Sequence, residues 1–226
     1  MLALGWPELS ELLPDRGLPR GVVEIAAPHA HGGGTSIALA ACLAAQGRGE
    51  KVHCAWLEAA EGPRLHAPEV RVAGVDMARL LLVRPPRASL AHVCVKVLAS
   101  GVFDVVVVAP GPAPSAQLPK EKVLDERAVR RFALAVEGSS TTVLLLTDTH
   151  APHVPWPVEL RLEVERLPET ISVRIARDKR GRTGTMKSVP LRTRPTVRGG
   201  PQGAGSSVRR ASALSMMSPA RRTRSA

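Results

Sequence analysis

The stretch Phe-Asp-Val-Val-Val-Val-Ala at residues 103–109 has no polar face. An extended chain turns successive side chains to opposite sides. A strand that is apolar on both sides must therefore be covered on both, as happens in parallel sheets sandwiched between helices. The rest of the first 150 residues is consistent with this. GVVEIAA (21–27), VHCAWLEA (52–59), LLLVRP (80–85) and TTVLLLT (141–147) read as further apolar strands. Between them the spacing predicts helices from about Ser36 to Gln46, over 88–100 and over 123–139, with shorter ones within 4–13, closed by Pro14, and near 67–73. Strands alternating with helices predict an α/β fold with a mainly parallel central sheet and helices on both faces.

The pattern then changes. In VELRLEVER (158–166), Val158, Leu160, Leu162 and Val164 fall on one face and Glu159, Arg161, Glu163 and Glu165 on the other. Such period-two alternation predicts a half-exposed antiparallel strand. ISVRIAR (171–177) repeats it, with Ile171, Val173 and Ile175 inward and LPET (167–170) as the hairpin turn. TMKSVPL (185–191) adds an edge strand, where Pro190 is tolerated. The expected division is an N-terminal segment 1–14, one domain over 15–191 and a tail over 192–226.

The tail is rich in Gly, Ser, Pro and Arg, a composition that cannot repay the entropy of folding, and disorder is expected there. Of the net charge of +11, Arg192, Arg194, Arg198, Arg209, Arg210, Arg221, Arg222 and Arg224 carry eight, with no acid among them. A polyanion or an acidic protein face is the natural partner of such a tail. Its one apolar island, Ala213 to Met217, lies between arginine clusters. It reads as an incidental feature of a solvated tail or as a short docking motif, and the former is the simpler reading. Cys42, Cys54 and Cys94 lie in apolar segments without a CxxC spacing, which points to buried free thiols in a reducing cytoplasm rather than to a metal or redox site. No apolar run reaches the length of a membrane span, and the first residues lack the marks of a signal peptide.

Between the first strand and the first long helix stands AAPHAHGGGTS (26–36). Strand, glycine-rich turn and helix is the setting of a phosphate-binding loop, yet no lysine occurs between Arg20 and Lys51. Several other segments, in order, resemble the RecA recombinase family. GLPRGVVEI (17–25) resembles the lead-in to its first strand, and HCAWLEAAEG (53–62) the strand that carries its catalytic glutamate. RVAGVDMARLLLVRP (71–85) is similar to its Leu-Gly-Val-Asp stretch and the strand beyond. SGVFDVVVVAP (100–110) resembles its Walker B strand, and TTVLLLTDTH (141–150) the strand ending in a sensing glutamine. VELRLEVERL and SVRIARDKRG resemble the two hairpin strands before its basic interface turn.

The departures from the family pattern fall where its chemistry lies. Without a gap, Ala27 replaces the first loop glycine, Gly33 the lysine and Gly34 the threonine. With one residue inserted, Gly34 replaces the lysine, and Thr35 and Ser36 keep the hydroxyls that would hold magnesium. The catalytic glutamate falls at Ala60, with Glu61 one place late. The Walker B aspartate falls at Ala109, the adenine-stacking tyrosine near Glu69 and the sensing glutamine at Thr149. The resemblance therefore implies a domain without ATPase activity or cofactor. Gly32, Gly33, Gly34, Thr35 and Ser36 form a vestigial phosphate loop, whose N–H groups retain at most a weak anion site; a tight turn is the simpler reading.

Arg177 and Lys179 match basic residues that in RecA reach a neighbour's nucleotide. With Arg180 and Arg182, and with Arg209, Arg210, Arg221 and Arg222 of the tail, they are the candidate contacts to DNA or a protein partner, unless RDKRGR is only a solvated turn. Arg127, Arg130 and Arg131 share one helix face, read as solvated. His29, His31, His150 and His153 lie near strand ends, but no carboxylate or Cys completes a metal site, and no metal is expected. No Ser/His/Asp arrangement stands out.

Among RecA-like families the chain most resembles ImuA, a RecA-like accessory of bacterial damage-induced mutagenesis. That resemblance implies a cytoplasmic, nucleoid-associated, non-enzymatic adaptor in the SOS response. Its expected partners are RecA, ImuB and an alternative replicative-type error-prone polymerase, with possible DNA contact through the tail and no membrane. The alternatives are a SulA-like inhibitor of division that binds FtsZ, and a divergent RecA-like ATPase.

Overall fold

Eight strands form one sheet: β1 (Gly21–Ala27), β2 (His53–Glu58), β3 (Leu80–Val83), β4 (Phe103–Ala109), β5 (Thr142–Asp148), β6 (Leu160–Arg166), β7 (Thr170–Asp178) and β8 (Lys187–Pro190). Their spatial order is β3-β2-β4-β5-β1-β6-β7-β8. The computed structural model describes residues 1–28, 33–111, 124–149, 156–184 and 186–191. Neighbouring strands from β3 to β6 pair in parallel, while β6–β7 and β7–β8 are antiparallel. The four valines at 105–108 are each 0% exposed, as a strand apolar on both faces requires.

Helices α1 (Pro7–Leu12), α2 (Gly34–Gln46) and α3 (Ala67–Val72) cover one face, and α4 (Leu90–Ala99) and α5 (Glu126–Ala135) the other. The first layer buries Ile37, Ala41 and Val70 against Val23, Ile25, Trp56 and Leu144. The second buries Cys94, Val129 and Phe132 against Val106, Val143 and Leu145. Asp125 caps α5, its Oδ1 accepting the Ala128 N–H at 2.7 Å, and Glu126 pairs with Arg130 one turn on. Such a cap stabilises a helix by about 1 kcal/mol.

Segment 1–14 packs into the same core. Leu2, Leu4, Trp6, Leu9 and Leu13 are buried with the α2 layer, and Leu2 bridges Leu18. The Val-Asp stretch before β3 is structural. Asp76 exchanges main-chain hydrogen bonds with the buried Gln46 amide at 2.8 and 3.0 Å, and its carboxylate accepts from Ala78 N and Arg79 Nε. The end of α2 is thereby tied to the start of β3.

One expectation needs correction. The strand expected over 158–166 begins at Leu160, and its polar side opens to solvent only toward its end: Arg161 is 9% exposed, Glu163 is partly buried and Glu165 is exposed. Leu160, Leu162 and Val164 pack with the α2 layer, but Val158 packs with the α4–α5 layer. The reason is position. β6 lies between β1 and β7 rather than at an edge, and its register places Arg161 beside the buried Glu24 of β1.

Candidate functional site

A cleft of about 940 Å³ opens at the carboxyl ends of the parallel strands, bordered by Ala27, Glu58, Ala109 and Asp148 from β1, β2, β4 and β5. Open α/β sheets bind their ligands at this edge. Gly33, Gly34, Thr35 and Ser36 line it; Gly32, His29 and His31 lie outside the described residues. Gly33 is the N-cap of α2 with φ of 81°, and its carbonyl accepts from Ser36 N at 3.1 Å. A Cβ there would stand 3.1 Å from Val164 Cγ1 and 3.2 Å from Ile171 Cγ2, on the hairpin strands. At Gly34 a Cβ would stand 3.2 Å from Ile25 Cγ2 and 3.7 Å from Leu146 Cδ2. Both glycines thus serve a close approach between helix and sheet, whichever alignment marks the missing lysine.

The other positions are equally plain. Ala109 ends β4 at the cleft with no carboxylate to offer a metal. Ala60 follows β2, and Glu61 turns aside to accept the Arg87 N–H at 3.0 Å. Thr149 donates its N–H to Ala27 O at 3.2 Å, and Glu69 is exposed at the cleft. Glu58 had no signal in the sequence beyond its place at a strand end. It is 2% exposed, accepts Arg84 Nε at 2.5 Å and Leu65 N at 2.9 Å, and so pins the segment after β2 to the end of β3. Among the described residues no group of three or more His, Cys, Asp or Glu is placed to hold a metal. His150 and His153 lie outside them.

Arg177, Lys179, Arg180 and Arg182 lie at the other end of the sheet. Asp178 at the end of β7 is opposite Leu160, which neighbours Val23 near the start of β1, whereas the cleft lies past Ala27. Each cation already has an internal partner. Arg177 donates to Trp156 O at 2.8 Å, and Lys179 pairs with Glu159 at 2.7 Å. Arg180 pairs with Asp15 at 2.9 Å, and Arg182 pairs with Asp15 at 3.2 Å and Asp178 at 2.5 Å. Asp15 itself has φ of 55°, a left-handed conformation that costs a non-glycine residue free energy and that aspartate adopts more readily than most. The turn is thus a closed charge cluster that ties the N-terminal segment to the hairpin.

The hydrogen bond from Arg182, with the nearby charges of Arg182 and Arg180, holds the Asp15 carboxyl below the ordinary aspartate range. A depressed carboxyl stabilises the fold fully above its unfolded value and loses that contribution as pH falls through the folded one. Asp15→Asn is therefore expected to lower the urea midpoint slightly at pH 7, with the gap to wild type closing as the pH falls below the ordinary aspartate range. A gap that persists unchanged in acid would show that Asp15 acts through its backbone shape rather than its charge.

Arg127, Arg130 and Arg131 are exposed on α5. Cys42, Cys54 and Cys94 are buried free thiols; burial pushes Cys94 up to about 12, and Cys42 is raised by its hydrogen bond with Cys54 and by burial. No described helix is long and apolar enough to cross a membrane. Arg209, Arg210, Arg221 and Arg222 lie outside the described residues.

Among curated proteins no sequence matches. Among solved structures, the crystal structure of the RadB recombinase is similar over 85% of this chain and 97% of its own, at 16% identity and a TM-score of 0.63. The fold is therefore RecA-like, with a mainly parallel sheet, helices on both faces and antiparallel C-terminal strands. The family model described as the MT3502 N-terminal domain matches residues 11–149, more than half of the sequence and the whole span from β1 through β5, and the chain belongs to that family.

Proposed function

We propose that the protein is a non-enzymatic RecA-like adaptor of the ImuA type. It would act in the bacterial DNA-damage response and support error-prone translesion synthesis by binding RecA, ImuB or both, together with the mutagenic polymerase. The observation that carries this reading is the state of the cleft. The RecA-like frame is intact, but the lysine, glutamate and aspartate positions hold Gly33 or Gly34, Ala60 and Ala109, and both glycines are packed against apolar side chains. A frame that keeps the shape of a recombinase protomer without the groups that polarise phosphate is suited to docking rather than turnover. The membership in the MT3502 family and the likeness to a recombinase support the frame.

The test is an affinity pull-down of the tagged full chain from DNA-damaged cells, with nuclease added so that bridging DNA is removed. RecA, ImuB or the mutagenic polymerase in the eluate, retained without ATP, is the expected result. Recovery of FtsZ in their place would overturn it in favour of division control. Steady ATP hydrolysis by the purified protein, abolished by changing Thr35 and Ser36, would overturn the non-enzymatic part.

A further inference from the structure

We infer that the outer edge of β3 is a self-association surface: two copies of this chain pair β3 against β3, antiparallel about a two-fold axis, and join their sheets into one.

The edge itself carries the first part of the argument. β3 pairs with β2 on one side, and no described strand lies on its other side. Its four residues, Leu80 to Val83, include no charge and no proline. Side chains alternate between the faces of a strand. Leu82 therefore shares the face of Leu80, which packs with the α2 layer, and Leu81 shares that of Val83, which packs with the α4–α5 layer. Yet Leu81 is 45% exposed and Leu82 39%. Leucines are thus uncovered on both faces of an edge whose outward N–H and C=O groups have no strand to bond. Such an edge is a template for another strand. The opposite edge is closed to this. β8 carries Lys187 and Pro190, and α1 packs beside it. A charge, a proline and a covering helix all blunt an edge.

This asymmetry selects the occupant. A strand that completes β3 has to be apolar on both faces, so that each exposed leucine gains an apolar neighbour. β8 of a second copy fails, because it brings Lys187 and Pro190. Segment 1–14 is committed elsewhere, its leucines buried in its own core. β3 of a second copy meets the requirement. A contact in which the same patch meets itself closes at two chains and does not propagate.

The register follows from the pleat. Facing residues of an antiparallel pair point to the same side of the sheet, so Leu81 cannot face Leu82. The registers that keep the strand paired place the two-fold at Leu81 or at Leu82. The first would set Arg79 against Val83 of the second copy. Arg79, however, closes the short turn Met77–Arg79 and folds back onto Gln46 O and Gly49 O at 3.1 and 2.9 Å. The second requires Arg84 to be extended, as the residue before a proline prefers to be. Leu82 then meets Leu82, Leu81 meets Val83, and Leu80 meets the stem of Arg84, whose charge Glu58 holds at 2.5 Å. Pro85 and Pro86, without N–H groups, end the ladder. So short a contact belongs among interfaces under about 1,200 Å², and a dissociation constant on the order of 10 µM is expected. The inference concerns the purified chain alone and does not rest on the adaptor reading.

The experiment is sedimentation equilibrium of the full chain from about 1 to 200 µM, a range that brackets such a constant. Wild type should pass from the mass of one chain to that of two and stop there. Leu82→Lys should stay at one chain with an unchanged urea midpoint. Leu134→Lys, which removes an equally exposed leucine on α5, should dimerise as wild type does. An independent readout is Leu82→Cys, which a two-fold at that residue brings within disulfide distance of its own copy. Mild oxidation should link it into covalent pairs, and Leu134→Cys should stay single. Wild type that remains at one chain throughout overturns the inference and leaves the edge to a strand of another protein. Dimers that persist in Leu82→Lys, or pairs that form equally at Leu134→Cys, overturn it in favour of a different surface. Masses that climb beyond two chains overturn the closed arrangement.

Discussion

Arg161→Ala should lower the unfolding free energy by about 3–5 kcal/mol, the usual cost of removing one partner from a buried ion pair. Glu24 and Arg161 are register neighbours on β1 and β6, joined at 2.8 Å. Glu24 is 3% exposed and also accepts the Thr147 hydroxyl from β5 at 2.8 Å, so one carboxylate links three adjacent strands. Without the guanidinium, a buried carboxylate keeps a single hydroxyl partner, and the penalty is that of an uncompensated charge in a poorly polarisable surrounding. Glu163 does not replace the loss. It lies 3.8 Å from Arg161 Nε, beyond hydrogen-bond reach, and is engaged by Arg174. The double change Glu24→Leu with Arg161→Met should recover most of the stability, because an apolar pair avoids both desolvation costs. Urea unfolding of the three proteins decides the matter. A loss below about 1 kcal/mol in Arg161→Ala would mean that water reaches Glu24 and the pair is not buried in solution.

That pair marks where the sequence was legible and where it was not. Elements set by local periodicity stand close to where they are expected. The valines of β4, the inward Ile171, Val173 and Ile175 of β7, the boundaries of β1 and the end of α2 follow from side-chain pattern and spacing alone, while α2 starts two residues before Ser36. The Glu24–Arg161 contact joins residues 137 apart in sequence. It depends on which strand lies beside β1, and period-two alternation assigns Arg161 to a solvated face. A signal did exist: a single charge inside GVVEIAA, a strand that must be buried, demands a partner. The basic turn is a parallel case. RDKRGR reads as an open cationic surface because Asp15, which closes it, is 165 residues from Arg180. An anion meeting Arg180 or Arg182 would compete with Asp15, which local composition cannot reveal.

Gly33→Ala should be the most damaging small substitution in the loop, costing about 2–5 kcal/mol. Two effects add. The left-handed conformation at φ of 81° costs a non-glycine residue roughly 1–2 kcal/mol. A Cβ within 3.1 Å of Val164 and 3.2 Å of Ile171 forces the hairpin strands to shift, an overpacking term of about 1–3 kcal/mol. Gly34→Ala meets a single tight side-chain contact, Ile25 at 3.2 Å, from an ordinary helical position. There the gain in helix propensity, up to about 1 kcal/mol, offsets much of the strain. Thermal or urea unfolding should therefore separate neighbouring glycines sharply, and equal small effects would mean that the turn is loose. The contrast bears on function. In a working phosphate loop the residue at one of these positions is a lysine whose side chain has room to reach the ligand. Here Gly33 is closed off by the hairpin, and a lysine at Gly34 would leave the backbone against Ile25 and Leu146. Restoring the lysine alone therefore adds strain before it adds charge. A lysine at either position would thus have to work against the packing between α2 and the sheet.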